Sequence, residues 1–376
     1  AALLLVVAGI ALLPTEPRFA TLLVALYVLT RCLFSGSLTA RSVIWRTNYP
    51  RHARSRITGR LIIINTLMLA LLPLIAGKLF DADRGENAWL FRGVYLGAAL
   101  IGTGSVYAYL GLRVRRERAL RRDEAELTLG NADSGAPAAR VSAIHVLLTD
   151  HHFRGYMVWQ FMAGVATMAG NTAMMAFVAE QVARVPNDWP VGPFLVGFVL
   201  TDAIVQLFVA LSIPFFAHYL DKVHVTRFRT RHGLLWIVTQ ASNLAITYLA
   251  AINGAPLAWL LVLLAVPRVL QGLVFGGGRL AWQLGHHDFA DRHLAATYMS
   301  IHQTLTGVRG FIAPYAGVLL YTGLRGADLG PVRIPAWDGI GYWVFAITLG
   351  FAILGWLGFV RLDKQVGGDG AAKTHD

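Results

Sequence analysis

Apolar residues in this chain neither alternate nor keep to one helical stripe. They fill long runs broken by short charged segments. Ten such runs stand out, at about 1–13, 19–45, 57–80, 89–112, 155–180, 190–219, 232–252, 256–283, 295–322 and 336–360. A helix needs roughly 20 apolar residues to cross a bilayer, and all but the first run reach that length. A span apolar on every face suits lipid, where a helix satisfies its own backbone polar groups. The pattern predicts an all-α, polytopic membrane protein.

The charged segments between the runs alternate in character. The segment at 46–60 carries Arg46, Arg51, Arg54, Arg56 and Arg60, whereas 81–88 carries Asp81, Asp83, Arg84 and Glu86. After 112 come Arg113, Arg115, Arg116, Arg118, Arg121 and Arg122. The segment at 181–189 holds Arg184 and Asp188, while 220–231 holds Lys222, Arg227, Arg229 and Arg231. Short loops rich in Lys and Arg stay on the cytoplasmic side, so the basic loops and the tail with Arg361 and Lys364 are expected inside. That predicts a multi-pass protein of a cytoplasmic, inner-type membrane, with the lipid bilayer as its surroundings.

One long polar stretch interrupts the series. Residues 113–153 include Asn131-Ala132-Asp133-Ser134-Gly135-Ala136-Pro137, a composition typical of a flexible connector. It separates four runs from six. The expected division is a bundle over 1–112, a cytoplasmic linker over 113–153, a second bundle over 154–361 and a tail over 362–376.

A repeat supports that division. Arg31 sits mid-run with Trp45 where its run meets a charged segment, and Arg268 and Trp282 reproduce the pair at the same offset. Pro73-Leu74-Ile75-Ala76-Gly77 after the first copy is echoed by Pro314-Tyr315-Ala316-Gly317 after the second. If both halves are built alike, the first should begin roughly 80 residues before Ala1, room for two more helices. The chain opens on Ala1, not methionine. Ten of twelve spans, in a 4+6 arrangement cut from 6+6, are therefore expected here.

Composition narrows the class further. Only 14% of residues are charged and 56% are hydrophobic, against about 25% charged in soluble domains. The net charge of +12 would suggest nucleic acid in a soluble protein. Here it lies in short loops beside spans, with no basic stripe interleaved with aromatics, so nucleic acid is not an expected partner. The single cysteine, Cys32, allows no disulfide within these residues and reads as a small packing side chain.

The arrangement of spans, together with three short motifs, resembles the major facilitator superfamily of secondary transporters. Arg268-Val269-Leu270-Gln271-Gly272 is similar to that family's arginine-x-x-glutamine-glycine motif. The first-half copy reads Arg31-Cys32-Leu33-Phe34-Ser35. Ala217-His218-Tyr219-Leu220-Asp221-Lys222 resembles its cytoplasmic loop between the eighth and ninth helices, with alanine where glycine leads. Pro73-x-x-Ala76-Gly77 resembles its fifth-helix antiporter motif, with Leu72 in place of a glycine. The resemblance covers the whole chain as topology. It implies a two-bundle fold, a small solute moved by alternating access, and Asp221 and Lys222 in a loop that gates the conformational change.

Charges at membrane depth single out residues by themselves, because each costs about 2.5–3.5 kcal/mol on insertion scales. Arg31 and Arg268 are expected to bind an anionic solute or to serve proton coupling; arginines satisfied by backbone carbonyls are the structural alternative. Asp202 and Arg309 lie at similar depth in the second half and are expected to pair. Asp202 is either a protonatable carrier or half of a static ion pair. Three arginines against one aspartate give a positive cavity, which leans toward an anionic or carboxylate-bearing substrate. Asn171, Gln271 and His302 are expected to line the path. Arg41 and Arg279, near the inner face, are expected to snorkel.

Gly276-Gly277-Gly278 reads as close helix packing ahead of a hinge. His286-His287-Asp288 and Asp291-Arg292-His293 lack metal-ligand spacing and read as a solvated loop, so no metal is expected. No cofactor motif or catalytic cluster is visible. The reading is a monomeric secondary transporter without a cofactor, with protons as a candidate coupling ion. A sensor or scaffold that retains the fold is the alternative from another class; a membrane-embedded enzyme is a weaker one.

Overall fold

The computed structural model describes residues 51–83, 88–110, 142–186, 189–253, 256–290, 294–324, 326–328 and 333–372, with isolated positions before 51 and at 118 and 122. The runs at 1–13 and 19–45, including Arg31, Arg41 and Trp45, lie outside the described residues or at scattered positions among them.

The described chain is mainly helical. The helices are α1 (Arg51–Asp83), α2 (Ala88–Leu110), α3 (Ala143–Thr149), α4 (His151–Val182), α5 (Pro193–Phe198), α6 (Ile204–Leu220), α7 (Val225–Asn253), α8 (Leu257–Leu284), α9 (Ala295–Thr322) and α10 (Trp343–Ala372). A π-helical turn, Val199–Ala203, joins α5 to α6, and a 3-10 turn, Gly285–Asp288, extends α8. Ala327–Asp328 and Arg333–Ile334 pair as a two-residue antiparallel ribbon. Among the described residues, six helical stretches are long and apolar enough to cross a membrane. Large side chains such as Phe215, Phe311, Ile101 and Trp259 are more than half exposed, a surface that lipid covers and water would not.

Contacts divide the chain into two compact units. One comprises Ala1–Pro50, Leu79–Val146 and Ala290–Gln303; within it, Arg92 donates to the Leu13 carbonyl at 3.0 Å. The other comprises Arg51–Lys78, Leu147–Phe289 and Thr304–Asp376. In that second unit α4 packs on α10, α10 on α7, α7 on α8, and α8 on α6. Met174, Phe177, Val178, Leu264, Val344 and Phe345 form a core toward one end of the bundle. Phe153, Tyr156, Phe289 and Phe359 stack toward the other.

Several helices outrun the apolar runs that predict them. α7 starts at Val225, not 232, so the basic segment expected as a loop over 220–231 is helical for most of its length. Hydropathy marks where lipid begins, not where the helix does. Here the first turn is held by acids from elsewhere: Val225 N–H donates to Asp288 at 2.8 Å and the Thr226 hydroxyl to Asp363 at 2.9 Å. Asp288 satisfies an orphan backbone N–H directly, the Thr226 N–H is met by His224 Nδ1 at 3.3 Å, and both carboxylates complement the helix dipole. The same logic starts α4, where Asp150 accepts from the Phe153 N–H at 2.8 Å.

The solvated loop expected at 286–288 is a correction. His286 and His287 are 0% and 3% exposed, and their rings lie 4.0 Å apart in the buried 3-10 turn. Asp288 on that turn is the acid that starts α7, and this contact pulls the segment inward.

Candidate functional site

α8 builds the centre of the site. Pro267 lies inside this helix, removing one backbone hydrogen bond, and Arg268 follows it directly. Arg268 is 0% exposed, and its Nε, Nη1 and Nη2 have no hydrogen-bond partner among the described residues. A guanidinium has five N–H donors, so leaving all of them unmet in the interior is costly. Gln271, three residues on, shares the Arg268 face of the helix. Its Nε2 donates to Asn171 Oδ1 on α4 at 2.6 Å, while its Oε1 has no partner among the described residues. The structure therefore brings Arg268, Gln271 and Asn171 to one place.

Asp202 sits on the π-helical turn, where the Ile204 N–H reaches back to the Val199 carbonyl. Such one-turn π segments are common at functional sites, because the extra residue re-aims the side chains beyond it. The Thr201 hydroxyl donates to Asp202 Oδ2 at 3.2 Å, and Arg268 is the cation whose charge acts on this carboxylate. Among the described residues, however, no ion pair within bonding distance joins the two. Gly272 explains the close approach of their helices. A Cβ there would lie 2.5 Å from the Val205 carbonyl oxygen and 2.6 Å from Phe208 Cβ, so only glycine lets α8 meet α6 beside Asp202.

The expected pairing of Asp202 with Arg309 is not found. Arg309 Nη1 donates to the Gln160 carbonyl on α4 at 2.7 Å, and its guanidinium fills the space that a Cβ at Gly164 would occupy. The reason is neighbourhood: α9 places Arg309 against α4, whereas Asp202 faces α8. Arg279 also departs from expectation. It does not snorkel; Nη1 donates to Thr66 Oγ1 on α1 at 3.1 Å and Nη2 to Gln206 Oε1 on α6 at 2.9 Å. It is a bridge between three helices.

The Asp221 side chain is 4% exposed and meets the first turns of α1. Its Oδ1 accepts from the Ser55 N–H at 3.1 Å, and its Oδ2 from Arg56 Nε at 3.4 Å. Lys222 beside it is exposed. His302 is 0% exposed on α9, in the other compact unit. Arg31 lies outside the described residues. Gly276 and Gly277 lie in close packing: a Cβ at Gly276 would meet the Ser212 hydroxyl and one at Gly277 would lie 2.7 Å from the His232 ring, whereas one at Gly278 would meet only ordinary contacts at 3.8 Å.

Sequence reasoning missed the Arg279 bridge; it marks Gln206, Gln240 and Asn243 only as polar groups within spans, and the structure joins the last two in a polar chain in the bundle interior. In that chain Gln240 donates to the Ala166 carbonyl at 3.3 Å and accepts from Thr348 at 3.1 Å and Asn243 at 3.2 Å. Thr66 and Thr348 are mid-run polar residues, the one signal that could have marked them.

Residues 1–314 match the sequence model of the family described as Major Facilitator Superfamily. No curated protein matches the chain.

Proposed function

We propose that this chain, which belongs to the Major Facilitator Superfamily, carries a small anionic or carboxylate-bearing solute, with Arg268 as its anchor. Membership makes it a multi-pass membrane transport protein that handles small solutes. The charge preference, the residues that carry it and the coupling are our reading. So are the two-bundle division over 1–112 and 154–361 and the cytoplasmic placing of the basic loops.

The observation that carries this reading is the fully buried Arg268 guanidinium with all three nitrogens unpartnered among the described residues. A carboxylate is the natural complement, since it accepts two parallel N–H bonds from one guanidinium and cancels its charge. Gln271 and Asn171, bonded to each other beside it, offer amide groups to the rest of the solute. Asp202 makes proton coupling a direct consequence. An anion arriving at Arg268 meets the negative charge of Asp202, and protonating that carboxylate removes the repulsion. Proton and anion then bind together, which is symport logic in its simplest form.

Alternating access requires contacts that hold one state and break in the other. Asp221 on the segment after α6, bonded to α1 across a long stretch of chain, is suited to that role.

The test is a solute panel on the full-length protein in proteoliposomes. Carboxylates should enter, and the amide of each matched acid should not. Equal rates for acids and amides would overturn the anionic reading.

A further inference from the structure

α8 presents neighbouring residues to two different helices. Gly272 lets α6 approach, while Gln271 turns to α4, where its Nε2 donates to Asn171 Oδ1 at 2.6 Å. That single bond leaves each amide with an unspent group. Gln271 is 4% exposed, and its Oε1 has no partner among the described residues. Asn171 Nδ2 reaches the Met175 sulfur, a weak acceptor, at 3.8 Å. The pair therefore presents one free acceptor and one free donor. Turning both amides over exchanges the atoms and keeps that complement, with Asn171 Oδ1 accepting and Gln271 Nε2 donating. Asn171 is half-buried, so the pair is not sealed off.

A buried acceptor left unmet is costly, and its complement can be read from the two atoms. A group that serves both must donate and accept at once. An alcohol does; an ammonium only donates, and an ether only accepts. Spacing then places the alcohol on the solute. Residues three apart on a helix lie about 5–6 Å from each other at Cβ, and Arg268 and Gln271 are such a pair. A solute whose carboxylate meets Arg268 has its hydroxyl on the adjacent carbon.

We propose that the Gln271–Asn171 pair selects 2-hydroxycarboxylates over carboxylates that lack the hydroxyl. This rests on Arg268 as the carboxylate anchor. The solute hydroxyl donates to Gln271 Oε1 and accepts from Asn171 Nδ2. Arg268 supplies affinity for the charge, and the amide pair supplies specificity. A site built to bond a hydroxyl discriminates against the analogue without it, because the site's own polar groups are then left unpaired.

Isothermal titration calorimetry on the full-length protein in detergent reads this directly. The probes are matched acids of increasing size: lactate against propionate, malate against succinate, and mandelate against phenylacetate. In the pair that fits, the hydroxy acid should bind about tenfold more tightly or better. In Gln271→Leu it should fall to the affinity of its deoxy match, whose own affinity should hold. Equal binding of both members to the native protein would overturn the proposal and leave the Arg268 anchor standing; a water resident on the amide pair would give that result. An undiminished gap in a folded Gln271→Leu protein would overturn it as well. The 2-methoxy and 2-amino analogues of the preferred acid need no variant, and either one binding as tightly as the hydroxy acid would refute the bridging alcohol. Failure of every acid to bind would contradict the anchor itself, and this proposal with it.

Discussion

Arg268 and Gly272 share one motif and divide two tasks. The glycine sets how near α8 comes to α6; the arginine uses that nearness, because Asp202 lies on the adjoining turn. Gly272→Ala places a methyl against the Val205 carbonyl, which is backbone and cannot step aside. Overpacking of this kind costs about 1–3 kcal/mol. Gly350→Ala on α10 meets nothing within 4 Å and serves as the control. Thermal unfolding in detergent should therefore fall for Gly272→Ala and hold for Gly350→Ala. At this scale the sequence was legible in part. It marked Arg268, Gln271 and Asn171 by polarity at depth, and the structure places them together. It mispaired Asp202 with Arg309, because similar depth says nothing about which neighbour a helix faces. Arg229, 6% exposed, was hidden differently: in a basic segment read as topology, nothing in its spacing distinguishes a buried arginine from a solvated one.

Helices were legible as objects, and their ends were not. Every long described helix coincides with an apolar run, because lipid demands both length and apolarity. Ends depend in part on partners distant in sequence: beside the local His224, Asp288 and Asp363 hold the start of α7, and no local pattern reveals those two acids. The π-helical turn at Val199–Ala203 was equally invisible, since no glycine or proline marks it. Its consequence is testable through Asp202, the residue it carries. Asp202→Asn keeps size and hydrogen bonding while removing the titrating group. Uptake driven by an inward proton gradient should fall to the rate seen without a gradient, while solute exchange at equal pH persists. Gradient-driven accumulation at the native level in Asp202→Asn would remove Asp202 from the coupling.

For the whole molecule, periodicity and loop charge were enough to indicate a multi-pass all-α protein, and the family match over residues 1–314 agrees with the resemblance drawn from the motifs. The interior was less legible, since composition cannot tell a polar side chain lining a path from one bonding two helices. Arg279, joining α1 and α6 from α8, is the second kind, and Arg268 is the opposite case: a buried cation whose nitrogens bond to none of the described residues. Transport, on this view, turns on those unmet donors serving a solute. Initial rates of carboxylate uptake by full-length protein in proteoliposomes, for the native chain and for Arg268→Ala, test it most directly. Losing a charge-assisted bidentate contact should lower the rate by about two orders of magnitude. The variant should still insert, because the guanidinium hydrogen-bonds to no described residue, and its uptake is compared at equal amounts of folded protein. Uptake at the native rate by a folded Arg268→Ala protein would contradict the account.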